Sequence, residues 1–484
     1  MADLDQTLRQ QAYAEVEKHK HTVEADPYRL RYHVMPPVGL LNDPNGFIQV
    51  DGVYHLFYQW NPFNTGHGAK FWGHYTTKDL VTWEHHDIAL APSDWFDKNG
   101  CYSGSAIEHD GTLYLFYTGN VKDENNNRET YQVMATSKDG YKFTKEGVVI
   151  NLPEGYTPHF RDPKVWKHKD HFYLVIGAQS KDLKGKAVLF RSTDLTNWEH
   201  LGAFAGAHIG PFREFGYMWE CPDLFELDGQ DVLVFSPQGL EPSGIYYQNL
   251  YQAGYVVGTL DYDSVEYNHG DFIELDRGFE FYAPQTTVDE KGRRIMIGWL
   301  GMPEEREEDH PTIEHKWIHA MTLPRELKLV NGKLYQRPVE ELKELRKDEV
   351  TYEVVELNEK AQAFQGIEGD ALEIYLETLD TVTSPIAVHI RNDVNLVYNP
   401  TDKLFKLDRI SYVDHQTVEE RFCHISQLNN IRIFLDISSI EVFINDGEEV
   451  FTARFYPNVE EKGISFAAGA EGTERVKLQA WKIK

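Results

Sequence analysis

The sequence predicts an all-β protein, a five-bladed β-propeller followed by a C-terminal β-sandwich. Two observations predict it: a segment repeated five times at nearly constant spacing, and a series of alternating apolar and polar segments after the last repeat. The repeated segments are DGVYHLFYQ from Asp51, DGTLYLFYT from Asp110, KDHFYLVIG from Lys169, DGQDVLVFS from Asp228 and KGRRIMIGW from Lys291. Each joins a turn to an apolar, aromatic and β-branched run, as a hairpin entering a strand does. Leu56, Leu115, Leu174, Leu233 and Met296 fall at equivalent positions, at intervals of 59, 59, 59 and 63 residues. About 60 residues hold four strands of about five to six residues with their turns, and radial repetition of four-stranded sheets is a propeller.

Taken in chain order, residues 1–32 are an N-terminal extension, predicted helical, with Leu4, Leu8 and Val16 on one packing face. Residues 33–338 are the propeller. Residues 339–348 read as a linker helix with Val339, Leu342 and Leu345 on one side. Residues 349–484 are the sandwich: ALEIYLETLD, PIAVHIRND, NIRIFLDIS, SIEVFIND and RVKLQAWKI are separated by turn residues at the spacing of an antiparallel sandwich.

The 48 Lys+Arg against 77 Asp+Glu give a net charge of −29, which excludes a nucleic-acid partner and disfavours an anionic membrane surface. Cys101, Cys221 and Cys423 lie too far apart for a disulfide framework or a CxxC metal site. The polar N-terminus has no apolar signal region, and no apolar run is long enough to span a bilayer. These features predict a soluble cytoplasmic protein; assembly into a homo-oligomer is left open.

A segment ahead of each repeated turn carries unusual chemistry. Asp43 lies 13 residues before Leu56, Asp162 lies 12 before Leu174, and Glu220 lies 13 before Leu233. Ser103, 12 before its leucine, and Tyr282, 14 before Met296, fill the slot in the other two repeats. Equivalent positions of a propeller converge on its axis, so three acids are expected around one pocket, with Trp60, Trp72, Trp219 and Trp299 near in sequence. Clustered carboxylates beside aromatics point to glycoside hydrolysis, in which one carboxyl protonates the leaving oxygen while another attacks the anomeric carbon or activates water. Calcium or magnesium is the competing use, but each acid sits on a separate repeat and no DxDxDG loop occurs, so no metal or other cofactor is expected. His67, His74, His85 and His86 lack zinc spacing and read as structural or substrate-contacting.

LNDPNGF, QWNPF, FWGH, KDLVTWEH, YSGSA, FRDPKVW, ECPDLF, FYAPQT and HAMTLPREL occur in this order between about His33 and Arg337. The series closely resembles the family 32 glycoside hydrolases, the β-fructofuranosidases. SIEVFINDGEEVFTARFYP resembles the family's β-sandwich, so nearly the whole chain is covered. The wording is most similar to the bacterial cytoplasmic branch that acts on sucrose and sucrose 6-phosphate. The resemblance implies retaining hydrolysis of a terminal β-D-fructofuranosyl bond through a covalent fructosyl-enzyme. It implies Asp43 as nucleophile, Glu220 as acid/base and Asp162 as transition-state stabiliser oriented by Arg161. Asn42, Gln59, Trp72, Tyr102, Ser103, Arg161, Tyr282 and Trp299 match substrate-binding positions. Two departures stand out: NTGHGAK before FWGH, where many relatives carry a tryptophan and a methionine, and Tyr102 in place of a usual phenylalanine. Exo-hydrolysis of fructo-oligosaccharides and a non-catalytic sugar-binding propeller are the alternatives.

Overall fold

The computed structural model describes residues 2–470 and 472–483. Five antiparallel sheets follow one another along the chain, with inner strands Gly39–Val50, Cys101–His109, Tyr156–His168, Met218–Leu227 and Tyr282–Val288, numbered here as blades 1 to 5. Each inner strand touches that of the next blade, and blade 5 touches blade 1, which closes a ring. Leu56, Leu115, Leu174, Leu233 and Met296 all sit on the second strands with no exposed surface. The repeat is therefore the packing of apolar faces between successive sheets, where burial of each large side chain contributes about 1.5–3 kcal/mol. Trp317–Ile318, from the end of the blade 5 segment, pairs in parallel with Gly39 and Leu40 and joins the last blade to the first.

Each inner strand carries a β-bulge at the same place to within one residue: between Leu41 and Pro44, Cys101 and Gly104, Arg161 and Lys164, Glu220 and Asp223, and Tyr282 and Gln285, one residue earlier in blades 1 and 2 than in the others. Proline follows the displaced residue in four of the five blades, at Pro44, Pro163, Pro222 and Pro284; it has no N–H to give the ladder and belongs at such a break. Asp162, Cys221 and Ala283, which precede three of these prolines, have φ of +69°, +47° and +49°. Such left-handed backbone costs about 1–3 kcal/mol per residue and persists only where the surrounding structure enforces it. The bulges re-aim the side chains beside them, and residues at the bulges of all five blades line one cavity.

The N-terminal helix, Ala2–Glu24, lies against blade 1 through Leu8, Ala12, Val16 and Val23. Leu4, expected on that face, is half exposed; near it the helix is held by polar contacts instead, Ser93 Oγ donating to Asp5 Oδ2 at 3.0 Å and Arg9 reaching the carbonyls of Ile88 and Ala89. The linker is not the α-helix expected for residues 339–348. Glu340–Leu345 form a short 3-10 helix, and Arg346 already opens a strand paired with Ile483. The apolar spacing of three along Val339, Leu342 and Leu345 matches the 3.0-residue period of a 3-10 turn.

Eleven strands build the C-terminal sandwich, six in one sheet and five in the other, over a core that includes Ile374, Val388, Leu396, Phe405, Ile433 and Leu478. Its junction with the propeller is ionic and buried. Arg325, with no exposed surface, donates to Asp276, Glu441, Gln336 and Thr452. Arg409 donates to Glu280 at 2.8 and 2.9 Å. His33 bridges Asp436 at 2.8 Å and Glu441 at 3.0 Å. The carboxylates are met by cations or hydrogen bonds, which is what makes buried ions tolerable, and Arg325 Nε is left without a partner. None of the described helices is long and apolar enough to cross a membrane.

Candidate active site

A cavity of about 670 Å³ opens at one end of the propeller axis. Asp43, Asp162 and Glu220 line it, as do Asn42, Gln59, Tyr102, Ser103, Arg161, Tyr282 and Trp299. The three acids do not share one repeat position, however. Matched through their pairing with the second strand, where Leu41, Cys101, Phe160 and Trp219 face equivalent residues, Asp43, Ser103, Asp162, Cys221 and Ala283 are equivalent, and Glu220 belongs one residue earlier, with Asn42, Tyr102, Arg161 and Tyr282. Distances to the repeat's apolar residue differ by one between blades, so the sequence interval alone merges the two positions.

The corrected register explains the contacts. Residues of the first set meet one another: Ser103 Oγ donates to Asp43 Oδ2 at 2.6 Å, and Cys221 Sγ stands 3.6 Å from both Asp43 Oδ2 and Asp162 Oδ2. The Cys221 backbone N–H also donates to Asp162 Oδ2 at 2.9 Å. The second set meets across blades 3, 4 and 5. Arg161 donates to Glu220 Oε1 through Nε at 3.1 Å and Nη2 at 2.8 Å, and the Tyr282 hydroxyl and Gln238 Nε2 donate to Glu220 Oε2. Arg161 therefore orients Glu220 and not Asp162 as expected, because the two share a slot in adjacent blades. Cys221 and Gln238 are functional neighbours the sequence did not single out; the signal for Cys221 was its place directly before the blade 4 proline.

Burial sets the electrostatics. It pushes the Asp43 carboxyl up, opposed by the Ser103 hydrogen bond and reinforced by the charge of Glu220. It pushes Asp162 up to about 7, with Arg161 opposing and Glu220 and Asp43 adding to the rise. Burial and the same acids hold the Cys221 thiol well above its ordinary value. Asp43, Asp162 and Cys221 bring ligand-type atoms within 4.8 Å of one another, and the single thiol hydrogen of Cys221 lies within reach of either carboxylate.

Trp72 is corrected from a substrate contact to a support. It is wholly buried and does not line the cavity, and its Nε1 donates to the Tyr102 carbonyl at 2.9 Å. Gln59 lines the wall, with Nε2 donating to Asn45 Oδ1 and to the Cys101 carbonyl. Asn42 Oδ1 and Trp299 Nε1 are buried without a protein partner, and an unpaired polar atom at a cavity wall is a place for a ligand hydroxyl. Of the histidines, His67 lines the cavity, accepting at Nδ1 from Lys70 at 2.9 Å and meeting Glu307 at Nε2. His74, His85 and His86 lie together in blade 1 outside the cavity lining.

Both parts of the chain are matched by sequence comparison. Residues 33–338 match the glycosyl hydrolases family 32 N-terminal domain, and residues 341–482 match the family's C-terminal domain. The chain belongs to glycosyl hydrolase family 32. It is 52% identical over 479 residues to the sucrose-6-phosphate hydrolase of Bacillus subtilis, covering 99% of each chain. The sucrose-6-phosphate hydrolase structure from Lactobacillus gasseri is similar at a TM-score of 0.87 and 32% identity, over 98% of this chain and 99% of that one. A Bombyx mori family 32 β-fructofuranosidase variant, solved in complex with sucrose, is similar at a TM-score of 0.85 and 34% identity, over 99% and 98% of the two chains. This family 32 chain is a glycoside hydrolase.

Proposed function

We propose that the enzyme hydrolyses the β-fructofuranosyl bond of sucrose 6-phosphate, and of sucrose, with retention through a covalent fructosyl-enzyme. The observation that carries this reading is the convergence of Asp43, Asp162 and Glu220 in one cavity of a chain 52% identical to a sucrose-6-phosphate hydrolase. The Asp43 carboxylate attacks C2 of the fructosyl unit as Glu220 gives its proton to the bridging oxygen, and the glucosyl part departs. Water then attacks C2, Glu220 takes its proton, and the bond to Asp43 breaks to release fructose. Ser103 keeps Asp43 aimed, and Arg161, Gln238 and Tyr282 hold Glu220. Asp162 holds fructose hydroxyls and faces the positive charge that develops on the ring.

Residues 33–338 are the catalytic propeller and 349–484 the supporting sandwich in this reading. A phosphorylated disaccharide does not cross a membrane unaided, so the enzyme meets it in the cytoplasm. The test is kcat/KM on sucrose 6-phosphate, sucrose and 1-kestose, with Asp43→Asn as control. Preference for the phosphorylated disaccharide is expected; faster turnover of kestose would replace the reading with a fructan exo-hydrolase.

A further inference from the structure

We propose that Lys122 and Arg128, at the neck of a blade 2 hairpin, form the site that binds the phosphate of the departing sugar. The inference rests on the substrate reading above and locates a group that reading leaves unplaced.

The direction follows from the acid. Glu220 protonates the bridging oxygen, so the departing sugar lies on the side of Glu220 away from Asp43. Arg161 holds Glu220 and through Nη1 donates to His159 Nδ1 at 2.9 Å. That hydrogen bond leaves the His159 proton on Nε2, a donor for a ligand. Arg128 and Lys122 line the same cavity, paired across the hairpin, and the Arg128 charge is felt at His159. Glu304, which also lines the cavity and accepts from the Tyr251 hydroxyl, repels an anion.

Both cations are free to act. In a chain with 77 acidic and 48 basic residues, neither has a carboxylate within 4 Å among the described residues. The acids beside them are otherwise engaged: Asp123 accepts from the backbone of Asn125 and Asn127, and Glu129 accepts from the Tyr131 hydroxyl. Arg128 is held in place without being neutralised. Its Nη1 donates to Asn120 Oδ1 at 2.9 Å and its guanidinium lies 5.5 Å from the Tyr102 ring centre. Asn99 Oδ1 accepts from the Lys122 backbone N–H at 2.7 Å and fixes the other strand of the neck. A pre-oriented guanidinium beside an ammonium suits the oxygens of a phosphate monoester. Lys70, the other lysine of the cavity, is tied to His67 and lies within the field of Asp43 on the fructose side.

The test compares the ratio of kcat/KM for sucrose 6-phosphate to that for sucrose in wild type, Lys122→Met, Arg128→Gln and the double variant, with thermal unfolding as a check of folding. Charge-assisted bonds of this kind predict a loss in the ratio of about tenfold for each single change and more for both, expressed in KM. Arg128→Lys keeps the charge and recovers part of the ratio. Glucose 6-phosphate is a weaker competitive inhibitor of the double variant than of wild type. A wild type that prefers the phosphorylated sugar, with the preference intact in the double variant or lost instead in Lys70→Met, overturns the assignment to this hairpin. A wild type without the preference overturns the substrate reading itself, and the assignment with it.

Discussion

Replacement of His33 by Gln tests the ionic junction between the two domains. The His33 ring is almost wholly buried and gives one N–H to Asp436 Oδ2 at 2.8 Å and the other to Glu441 Oε1 at 3.0 Å. Only the imidazolium can do both. Burial alone would lower its pKa, but the hydrogen bonds and charges of Asp436 and Glu441 outweigh it and raise the value from 6.5 to about 9. Arg325 shares Glu441, donating to its Oε2 at 2.9 Å. Because the folded-state pKa is the higher one, the stabilisation is fully present below pH 6.5, declines as pH rises, and is gone above about 9. A rise of that size corresponds to about 3 kcal/mol. Urea unfolding at pH 6 and 9.5, followed by tryptophan fluorescence, reads it as a difference of differences. Wild type is expected to exceed His33→Gln in stability at pH 6, by a margin that shrinks by about 3 kcal/mol at pH 9.5. Groups elsewhere titrate alike in both proteins and cancel. Parallel pH profiles for the two proteins would refute the argument.

Three further predictions concern catalysis. Asp43→Asn and Glu220→Gln each keep the wild-type unfolding temperature and lose at least about a thousandfold in kcat/KM; near-normal turnover in either purified variant removes its assigned role. Burial raises both Asp43 and Asp162, the latter to about 7, so kcat/KM falls with decreasing pH well above the ordinary carboxylate range near 4. A rate flat from pH 8 to 4.5 contradicts that. Arg161→Lys replaces two directed bonds to Glu220 Oε1 with at most one and lowers kcat by about ten- to a hundredfold, while unchanged kcat shows that Tyr282 and Gln238 suffice to hold the acid.

The repeats alone specify the architecture. Five turn-and-strand segments with Leu56, Leu115, Leu174, Leu233 and Met296 in phase can bury their apolar faces only against one another, and the period of about 59 residues specifies the sheet that repeats. The motifs around Asp43, Asp162 and Glu220 were equally legible, because a proline beside an acid within a strand pattern breaks the local rule for a strand. What the tertiary structure decided is who faces whom. A bulge adds one residue to a strand and re-aims its side chains, so an uncertainty of one in the repeat interval placed Glu220 in the slot that Cys221 occupies. Arg161 and Glu220, or Ser103 and Asp43, are about one blade apart in the chain, and only closure of the ring makes them neighbours. Trp72 reads in sequence as an aromatic of the pocket, yet the packing of blade 1 against blade 2 turns it under Tyr102. The hairpin cations and the seam at His33 were invisible for the same reason: a charge is defined by its partners, and theirs are brought together, or withheld, by contacts between distant segments of the chain.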